Sequence, residues 1–178
     1  HHTRNTFDVA VSPLLNIFTR DNTNDDDGWA SRLALMQRDA DYGYPRLFKH
    51  FGDEIVQPLA SYGSGSATGA MWVQEPSWPG KFGNSLYTND WARGILYRHD
   101  LTPKGASFDV TQEEFIKGIR PTDVDMDGIG RMFLADWGRA DWGNSGPVGM
   151  VYLIKPDAKI AATQPAVPAY PDMAAASQ

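Results

Sequence analysis

The stretch DVAVSPLLNIFTRD, residues 8–21, recurs without a gap as DVDMDGIGRMFLAD, residues 123–136, at a separation of 115 residues. The two copies are identical at four pairs of positions: Asp8/Asp123, Val9/Val124, Phe18/Phe133 and Asp21/Asp136. In each copy, apolar runs flank a segment that contains Pro or Gly. This pattern predicts a strand, a turn and a second strand.

A partial third copy of the second strand is NSLYTND, residues 84–90. The recurring strand therefore ends in aspartate at positions 21, 90 and 136, at intervals of 69 and 46 residues. After two of these aspartates the chain continues in a similar way, as DWARGILYRHDL (90–101) and as DWGRADWGNSGPVGMVYLI (136–154). Both continuations predict an Asp-Trp turn, a glycine and another strand.

Units of about 40 to 50 residues with several strands each are typical of β-propeller blades. The sequence therefore predicts an all-β fold with about three four-stranded blades, near 5–50, 54–104 and 120–155, so that 1–155 form a partial β-propeller. Propellers usually have about four to eight blades. We therefore expect a further propeller segment, or another protein chain, to cover the open faces. A β-sandwich with similar hairpins is the alternative fold.

Two segments do not follow the repeat so clearly. WASRLALMQR, residues 29–38, fits both a helix face and strand alternation, and the repeat favours a strand. Residues 156–178 are rich in Ala and Pro and lack strand periodicity, which predicts an extended linker or C-terminal tail.

The composition limits the range of functions. With 42% hydrophobic and 12% aromatic residues, the 178-residue chain has enough apolar side chains for a folded core. The net charge of −6 argues against binding to nucleic acid or to an anionic membrane. No stretch reaches the roughly 18 to 20 apolar residues that a membrane span needs. The chain has no cysteine, which excludes disulfides, thiolate metal sites and haem attachment through CxxCH.

Residues 21–29, DNTNDDDGW, form the most acidic stretch of the chain. A Ca²⁺ ion takes about six to eight oxygen ligands. Six side chains here could supply them: Asp21, Asn22, Asn24, Asp25, Asp26 and Asp27. The spacing is not that of an EF-hand, which needs Gly and Glu at fixed later positions. A calcium-binding loop and a solvated acidic loop remain as alternatives.

The second acidic stretch begins like an EF-hand loop at Asp123, but its twelfth position is Leu134 rather than Glu. The repeat instead predicts a hairpin with Asp127 and Gly128 at its turn. His50 and His99 lack the flanking residues of a metal site or of a serine-hydrolase site.

Four stretches, in this order, carry a family resemblance: RNTFDVAV (4–11), the acidic loop with DADYGYP (39–45), FGNSLYTNDWARGILYRHDL (82–101) and RPTDVDMDGIGRMFLAD (120–136). The chain resembles the C-terminal half of the six-bladed propeller of glucose and sorbosone dehydrogenases that depend on pyrroloquinoline quinone (PQQ). It is also similar to the propeller of haem-containing membrane-bound dehydrogenase-type proteins, in which a cytochrome c module follows. The resemblance covers residues 4–154.

The resemblance implies a cofactor site and an activity. Five residues match positions that surround the quinone: Arg4, Asn5, Tyr62, Ser64 and Arg120. Arg4 and Asn5 match an Arg-Asn pair that lines the quinone, and Arg120 matches an arginine that faces the cofactor carboxylates, for which its guanidinium geometry is suited. Residues 21–27 fall on the calcium-binding loop. The activity implied is oxidation of a sugar or alcohol, with the general-base histidine outside this chain and a periplasmic or extracellular location.

Three departures weaken the match at the cofactor. Asp21 and Asn22 replace a Gly-Pro pair whose carbonyls help to hold calcium, Ala92 replaces a lysine, and Thr122 replaces a second arginine. These changes keep two rival functions open. One is a non-catalytic propeller that binds carbohydrate or protein, with calcium in a structural role. The other is a scaffold segment of a redox complex that carries haem on another domain or chain.

Overall fold

The protein is described by a computed structural model, which covers residues 1–22, 30–45, 51–138 and 149–157. These residues contain eleven β-strands, two short 3₁₀ turns at Gly52–Glu54 and Gly80–Gly83, and no α-helix. The all-β class predicted from the sequence is therefore confirmed. No helix among them is long and apolar enough to cross a membrane. Residues 158–178 of the predicted tail lie outside the described part of the chain.

The strands form three antiparallel sheets in chain order. The first contains β1 (Ala10–Val11), β2 (Ile17–Asp21), β3 (Arg32–Met36) and β4 (Ala60–Ser61). The second contains β5 (Ala67–Gln74), β6 (Asn84–Asp90), β7 (Ile95–Lys104) and β8 (Ser107–Lys117). The third contains β9 (Pro121–Met126), β10 (Met132–Asp136) and β11 (Met150–Ile154). The strand predicted within 29–38 is β3.

The sheet boundaries differ from those predicted from the sequence. The first sheet runs to Ser61, because β4 pairs with β3. The second blade, expected at 54–104, therefore begins at Ala67 and extends through β8 to Lys117. β4 has only two residues, which is too short to show a strand periodicity, and this explains why the sequence pattern placed its boundary early.

The repeat has the same strand register in the first and third sheets. Phe18 on β2 pairs with Ala10, and Phe133 on β10 pairs with Asp125. Phe18 and Phe133 are 115 residues apart, and so are their partners Ala10 and Asp125, which is the separation of the two sequence copies. The Asp127-Gly128 hairpin predicted between β9 and β10 is also present, and the Asp127 carboxylate accepts hydrogen bonds from the backbone N–H groups of Ile129 and Arg131.

The three sheets pack face to face in sequence order. Phe18 of the first sheet stacks on Trp72 of the second, with ring centroids 5.8 Å apart, inside one buried apolar cluster. A second cluster joins the second and third sheets and includes Tyr87 and Met132. Since the first strands of the sheets lie side by side, the sheets are arranged like consecutive blades around one axis. The fold is therefore an open portion of a β-propeller.

Close approach of the first strands requires a glycine. A Cβ added to Gly69 on β5 would lie 2.8 Å from the Cα of Asp123 on β9. Asp8 and Asp123 occupy the position of Gly69 in the other two sheets, as the strand pairing shows. Only glycine allows the backbones of the second and third sheets to approach this closely.

Candidate functional site

The same carboxylate contact occurs at one end of each sheet. Each recurring aspartate accepts a hydrogen bond from the backbone N–H of an equivalent residue that precedes the first strand of its sheet, directly in the second and third sheets and by five residues in the first. The donor and acceptor pairs are Asn5 with Asp21 (3.0 Å), Ser66 with Asp90 (2.9 Å) and Arg120 with Asp136 (2.8 Å). All three aspartates are buried. A carboxylate that binds backbone N–H groups fixes the segment leading into each sheet.

A second backbone contact completes this arrangement. The carbonyl oxygens of Asn5, Ser66 and Arg120 accept hydrogen bonds from the residues that follow the aspartates: Asn22 (3.4 Å), Trp91 (2.8 Å) and Trp137 (2.8 Å). The repeat thereby brings the residue before each first strand and the residue after each aspartate to the same end of the three sheets.

A cavity of about 500 Å³ lies at this end. Its lining is formed by residues from all three sheets: Arg4, Asn5, Phe7, Asn22, Ser66, Ala67, Thr68, Trp91, Thr122 and Trp137. We call it the axial-end cavity. Its volume is within the range of small-molecule sites, roughly 300 to 1,000 Å³. The indole rings of Trp91 and Trp137 meet edge to face, with centroids 6.4 Å apart. Aromatic side chains and a few polar groups are the usual lining of a ligand site.

The charge of the axial-end cavity comes from one side chain in its lining, Arg4, and no carboxylate is among the described residues that line it. Arg120 is directed elsewhere. Its guanidinium donates to the carbonyl oxygens of Trp91 (3.0 Å) and Ala92 (2.8 Å) and lies over the Trp91 ring. Arg120 lines a neighbouring cavity of about 610 Å³ between the second and third sheets.

The carboxylate of Asp21, which the sequence analysis expects as a metal ligand, is held by groups of the protein. Its carboxylate accepts hydrogen bonds from the N–H of Asn5 and from the guanidinium of Arg32, the latter at 3.0 Å. Both side chains of the Asp21–Arg32 pair are buried. Asn22, the second of the expected ligands, lines the axial-end cavity. Asn24, Asp25, Asp26 and Asp27 lie outside the described residues, so their calcium binding stays a prediction.

Tyr62 and Ser64 lie outside the lining of the axial-end cavity. The hydroxyl of Tyr62 is 3.3 Å from Nδ1 of His99, and the Tyr62 ring lies under the guanidinium of Arg20. Burial raises the pKa of Tyr62 to about 12. Ser64 is exposed, and its carbonyl oxygen accepts a hydrogen bond from Arg93 at 2.7 Å. Of the five expected cofactor residues, the structure therefore brings together Arg4 and Asn5.

His99 is buried between the first and second sheets. Its Nε2 lies 2.8 Å from the hydroxyl of Thr88, and Nδ1 faces Tyr62. Burial, with further contributions from Arg20 and Arg98, lowers the pKa of His99 to about 3. A neutral, enclosed imidazole with both ring nitrogens in contact with protein groups cannot serve as a solvent-accessible general base.

The sequence analysis missed Trp91 and Trp137 as site residues, although it noted the Asp-Trp pair at 90–91 and 136–137. The signal was the recurrence itself, because a residue that follows a repeated buried aspartate must occupy the same place in each sheet. A structural metal centre is not evident: within the described ranges, no group of three His, Asp or Glu side chains could hold an ion.

The comparisons with known proteins identify the fold. Neither the family models nor the curated proteins match the sequence. The solved structures that match include several described as glucose or aldose sugar dehydrogenases. An oxidoreductase assigned as a glucose dehydrogenase from Thermus thermophilus has a TM-score of 0.68 and 18% identity, over 83% of this chain and 44% of its own.

Two further structures give similar values. The PQQ-bound form of an aldose sugar dehydrogenase from Streptomyces coelicolor has a TM-score of 0.64 and 18% identity, over 85% of this chain and 42% of its own. A structure described as glucose dehydrogenase has a TM-score of 0.66 and 17% identity, over 88% of this chain and 46% of its own. The resemblance to the sugar dehydrogenase propeller is thus confirmed for the fold. The chain spans less than half the length of these structures.

Proposed function

We propose that this chain is a segment of a sugar dehydrogenase-like β-propeller, and that its axial-end cavity forms one side of a site for a quinone of the PQQ type. The observation that carries this proposal is the convergence of Arg4, Asn5, Trp91 and Trp137 from three sheets on a single cavity. One of the matched structures is the PQQ-bound form of an aldose sugar dehydrogenase, which supports a quinone as the ligand.

The lining of the cavity fits part of such a cofactor. The indole rings of Trp91 and Trp137 suit a planar ring system, because aromatic rings pack well against one another. The guanidinium of Arg4 suits a cofactor carboxylate. Asn5 and Ser66 offer hydrogen-bonding groups. A bound quinone would supply the capacity to accept two electrons from the substrate. The chain's own residues would position it and exclude water.

The lining does not fit a calcium ion. Ca²⁺ prefers carboxylate oxygens, and the cavity residues that the structure describes include no carboxylate. Calcium is therefore proposed only for the loop at Asn24 to Asp27. The general base is also expected from outside this chain, because His99 is buried and neutral. A periplasmic or extracellular location, a sugar substrate and a cytochrome c module as a partner remain part of this proposal by resemblance.

A second function is favoured by one observation. Ala92 and Thr122 stand where the resemblance expects cations, and the guanidinium of Arg120 is held by two backbone carbonyls. The cavity thus presents one guanidinium, two indoles, and amide and hydroxyl side chains. This set also suits a neutral carbohydrate, whose hydroxyls bind polar groups and whose ring faces pack on aromatic side chains. The rival is therefore a propeller that binds carbohydrate without oxidising it.

Titration calorimetry of the chain with PQQ and, separately, with glucose and other aldoses distinguishes the two functions. The quinone proposal expects saturable binding of PQQ with one site per chain. Binding of an aldose together with no binding of PQQ would favour the carbohydrate function. If neither class binds, both proposals for this cavity are wrong.

A further inference from the structure

The two indole rings of the axial-end cavity belong to turns on different sheets. Trp91 directly follows β6 of the second sheet, and Trp137 directly follows β10 of the third. Their edge-to-face contact, with ring centroids 6.4 Å apart, therefore crosses the junction between the two sheets. Such a contact keeps its geometry only if the two turns are held relative to each other. The groups that hold the turns thus also determine the shape of this wall of the cavity.

Arg120 contacts both of these turns. Its carbonyl oxygen accepts a hydrogen bond from the backbone N–H of Trp137 at 2.8 Å. Its guanidinium donates through Nη1 to the carbonyl oxygens of Trp91 (3.0 Å) and Ala92 (2.8 Å). The guanidinium carbon also lies 4.9 Å from the centroid of the Trp91 ring, which is a cation–π distance. One residue thereby links the backbone of one indole-bearing turn to the backbone and the ring of the other.

The equivalent residue of the second sheet, Ser66, does not form this link. Its backbone makes the same two contacts as that of Arg120, with Asp90 and with Trp91. Within the described ranges, however, its short side chain donates no hydrogen bond to the first sheet, where Asn22 occupies the place of a tryptophan. The arginine bridge therefore occurs at the junction at which two indoles meet.

Arg120 lies outside the described lining of the axial-end cavity and borders the neighbouring cavity of about 610 Å³. Its guanidinium meets the axial-end cavity through the ring of Trp91. We propose that Arg120 is a positioning residue, which holds the two indoles in their edge-to-face arrangement and does not contact the ligand. This role differs from the one that the family resemblance implies, in which the arginine faces cofactor carboxylates. The arrangement of the indoles is independent of any ligand, whereas the effect on ligand affinity rests on the proposed function.

A fixed pair of indoles raises ligand affinity because the wall of the site is formed before the ligand binds. Ordering a mobile side chain upon binding costs conformational entropy, and a side chain that is already ordered avoids this cost. The bridge by Arg120 restrains the backbone and the ring of Trp91 together. Loss of this bridge should therefore weaken the binding of a planar ligand through the indole and not through the charge of the arginine.

The turn that carries Trp91 has further anchors, so it should stay folded without the guanidinium. The carboxylate of Asp90 accepts a hydrogen bond from the backbone N–H of Arg93 at 3.1 Å. The carbonyl oxygen of Gly94 accepts another from the backbone N–H of Gly118 at 3.0 Å. These bonds hold the second half of the turn, whereas Arg120 binds the carbonyl groups of its first half. Arg120→Gln should therefore loosen the indole without unfolding the sheet.

Circular dichroism of the chain without ligand tests the arrangement of the indoles. Two indoles in contact couple their electronic transitions and give a pair of bands of opposite sign, and the bands lost in Trp137→Phe define this signal. Arg120→Gln should lose most of it. Arg38→Gln removes the same charge from a strongly exposed position and should keep it. An unchanged signal in Arg120→Gln, or the absence of the signal from the wild type, would overturn the proposal.

A double-mutant cycle with PQQ tests whether Arg120 acts through Trp91. Titration calorimetry gives the affinities of the wild type, Arg120→Gln, Trp91→Ala and the double variant. Arg120→Gln should weaken binding about fivefold in the wild type, and it should have no further effect when residue 91 is alanine. Equal losses in both backgrounds would show direct contact with the ligand and overturn the proposal. If the wild type does not bind PQQ, the proposed function is wrong, and circular dichroism still decides the role of Arg120.

Discussion

The guanidinium of Arg20 on the first sheet lies 2.8 Å from the carboxylate of Asp90 on the second, and both side chains are fully buried. Asp90 also accepts the backbone N–H of Ser66, the residue that begins the second sheet's part of the axial-end cavity. Tyr62 and Tyr97 enclose the Arg20 guanidinium, with ring centroids 4.6 and 4.7 Å away. The ion pair therefore connects the packing of two sheets with the position of a site residue.

Replacing Arg20 by leucine should lower the free energy of unfolding by about 3 kcal/mol, because the buried carboxylate of Asp90 would lose its closest cation and keep only the partly exposed Arg93, whose Nε is 3.8 Å away. Urea denaturation followed by fluorescence measures this change. The exposed pair of Lys104 and Asp109 provides the control. Lys104→Leu should change the stability by no more than about 1 kcal/mol. Equal effects of the two variants would contradict a structural role for the buried pair.

Gly69→Ala should lower the free energy of unfolding by about 1 to 3 kcal/mol, because the new Cβ would overlap the backbone of Asp123 and push the second and third sheets apart. Gly128→Ala is the matched control, since a Cβ there meets nothing within 4 Å. Thermal denaturation of both variants gives the comparison. The close approach of β5 and β9 is wrong if Gly69→Ala is as stable as Gly128→Ala.

The stability of the protein should fall as the pH decreases below about 6.5, in part through His99. Burial lowers the pKa of folded His99 to about 3, whereas the unfolded chain has the ordinary value of about 6.5. Between these values the unfolded state binds a proton that the folded state does not bind. The resulting loss is up to about 1.4 kcal/mol per pH unit.

Denaturation of the wild type and of His99→Gln at several pH values between 4 and 8 measures how much His99 contributes to the change of the free energy of unfolding with pH. The variant is expected to be less stable at pH 8 but to lose less stability on acidification. The exposed His2 serves as the control position. Parallel pH profiles for the wild type and His99→Gln would show that His99 does not titrate as described.

Arg4→Gln should weaken PQQ binding about tenfold or more, because a charge-assisted hydrogen bond contributes about 1.5 to 3 kcal/mol. Titration calorimetry of the variant measures the change. Arg38→Gln removes the same charge from a strongly exposed position and should leave the affinity unchanged. A similar loss in both variants would indicate a general effect of net charge rather than a contact in the cavity.

Calcium should raise the melting temperature of the chain, and EDTA should reverse the increase, if Asp25 to Asp27 bind the ion. Asp26→Asn should abolish the increase in melting temperature that calcium causes. Asp21→Asn should instead lower the melting temperature with and without calcium, because Asp21 holds Arg32 and the N–H of Asn5. No effect of calcium on the wild type would leave the solvated loop as the correct interpretation.

The sequence predicted the parts of the fold that depend on local pattern and repetition. The ungapped copies at 8–21 and 123–136 form hairpins of the same register, since a period of two along a strand places equivalent side chains on equivalent faces. The second sheet runs from Ala67 to Lys117, whereas the sequence pattern placed it near 54–104; its start differs because pairing of the two-residue strand β4 with β3 is a tertiary contact without a local signal.

The site could also be predicted only in part, because the directions of its side chains depend on tertiary contacts. Arg4 and Asn5 were identified by resemblance, and the structure places both in the axial-end cavity. The direction of the Arg120 side chain could not be read from its motif, since it depends on the carbonyls of Trp91 and Ala92 on a neighbouring sheet. Asp21 likewise looked like a ligand in an acidic run, whereas its partner Arg32 lies on the adjacent strand.

The central claim is that a quinone binds in the axial-end cavity, against the side chains of Trp91 and Trp137. Tryptophan fluorescence during a PQQ titration tests it most directly, with free N-acetyltryptophanamide as the correction for absorption by the quinone. The account predicts saturable quenching in the wild type and loss of most of it in the Trp91→Phe, Trp137→Phe double variant. Quenching that does not saturate, or that is equal in the wild type and the double variant, would contradict the account.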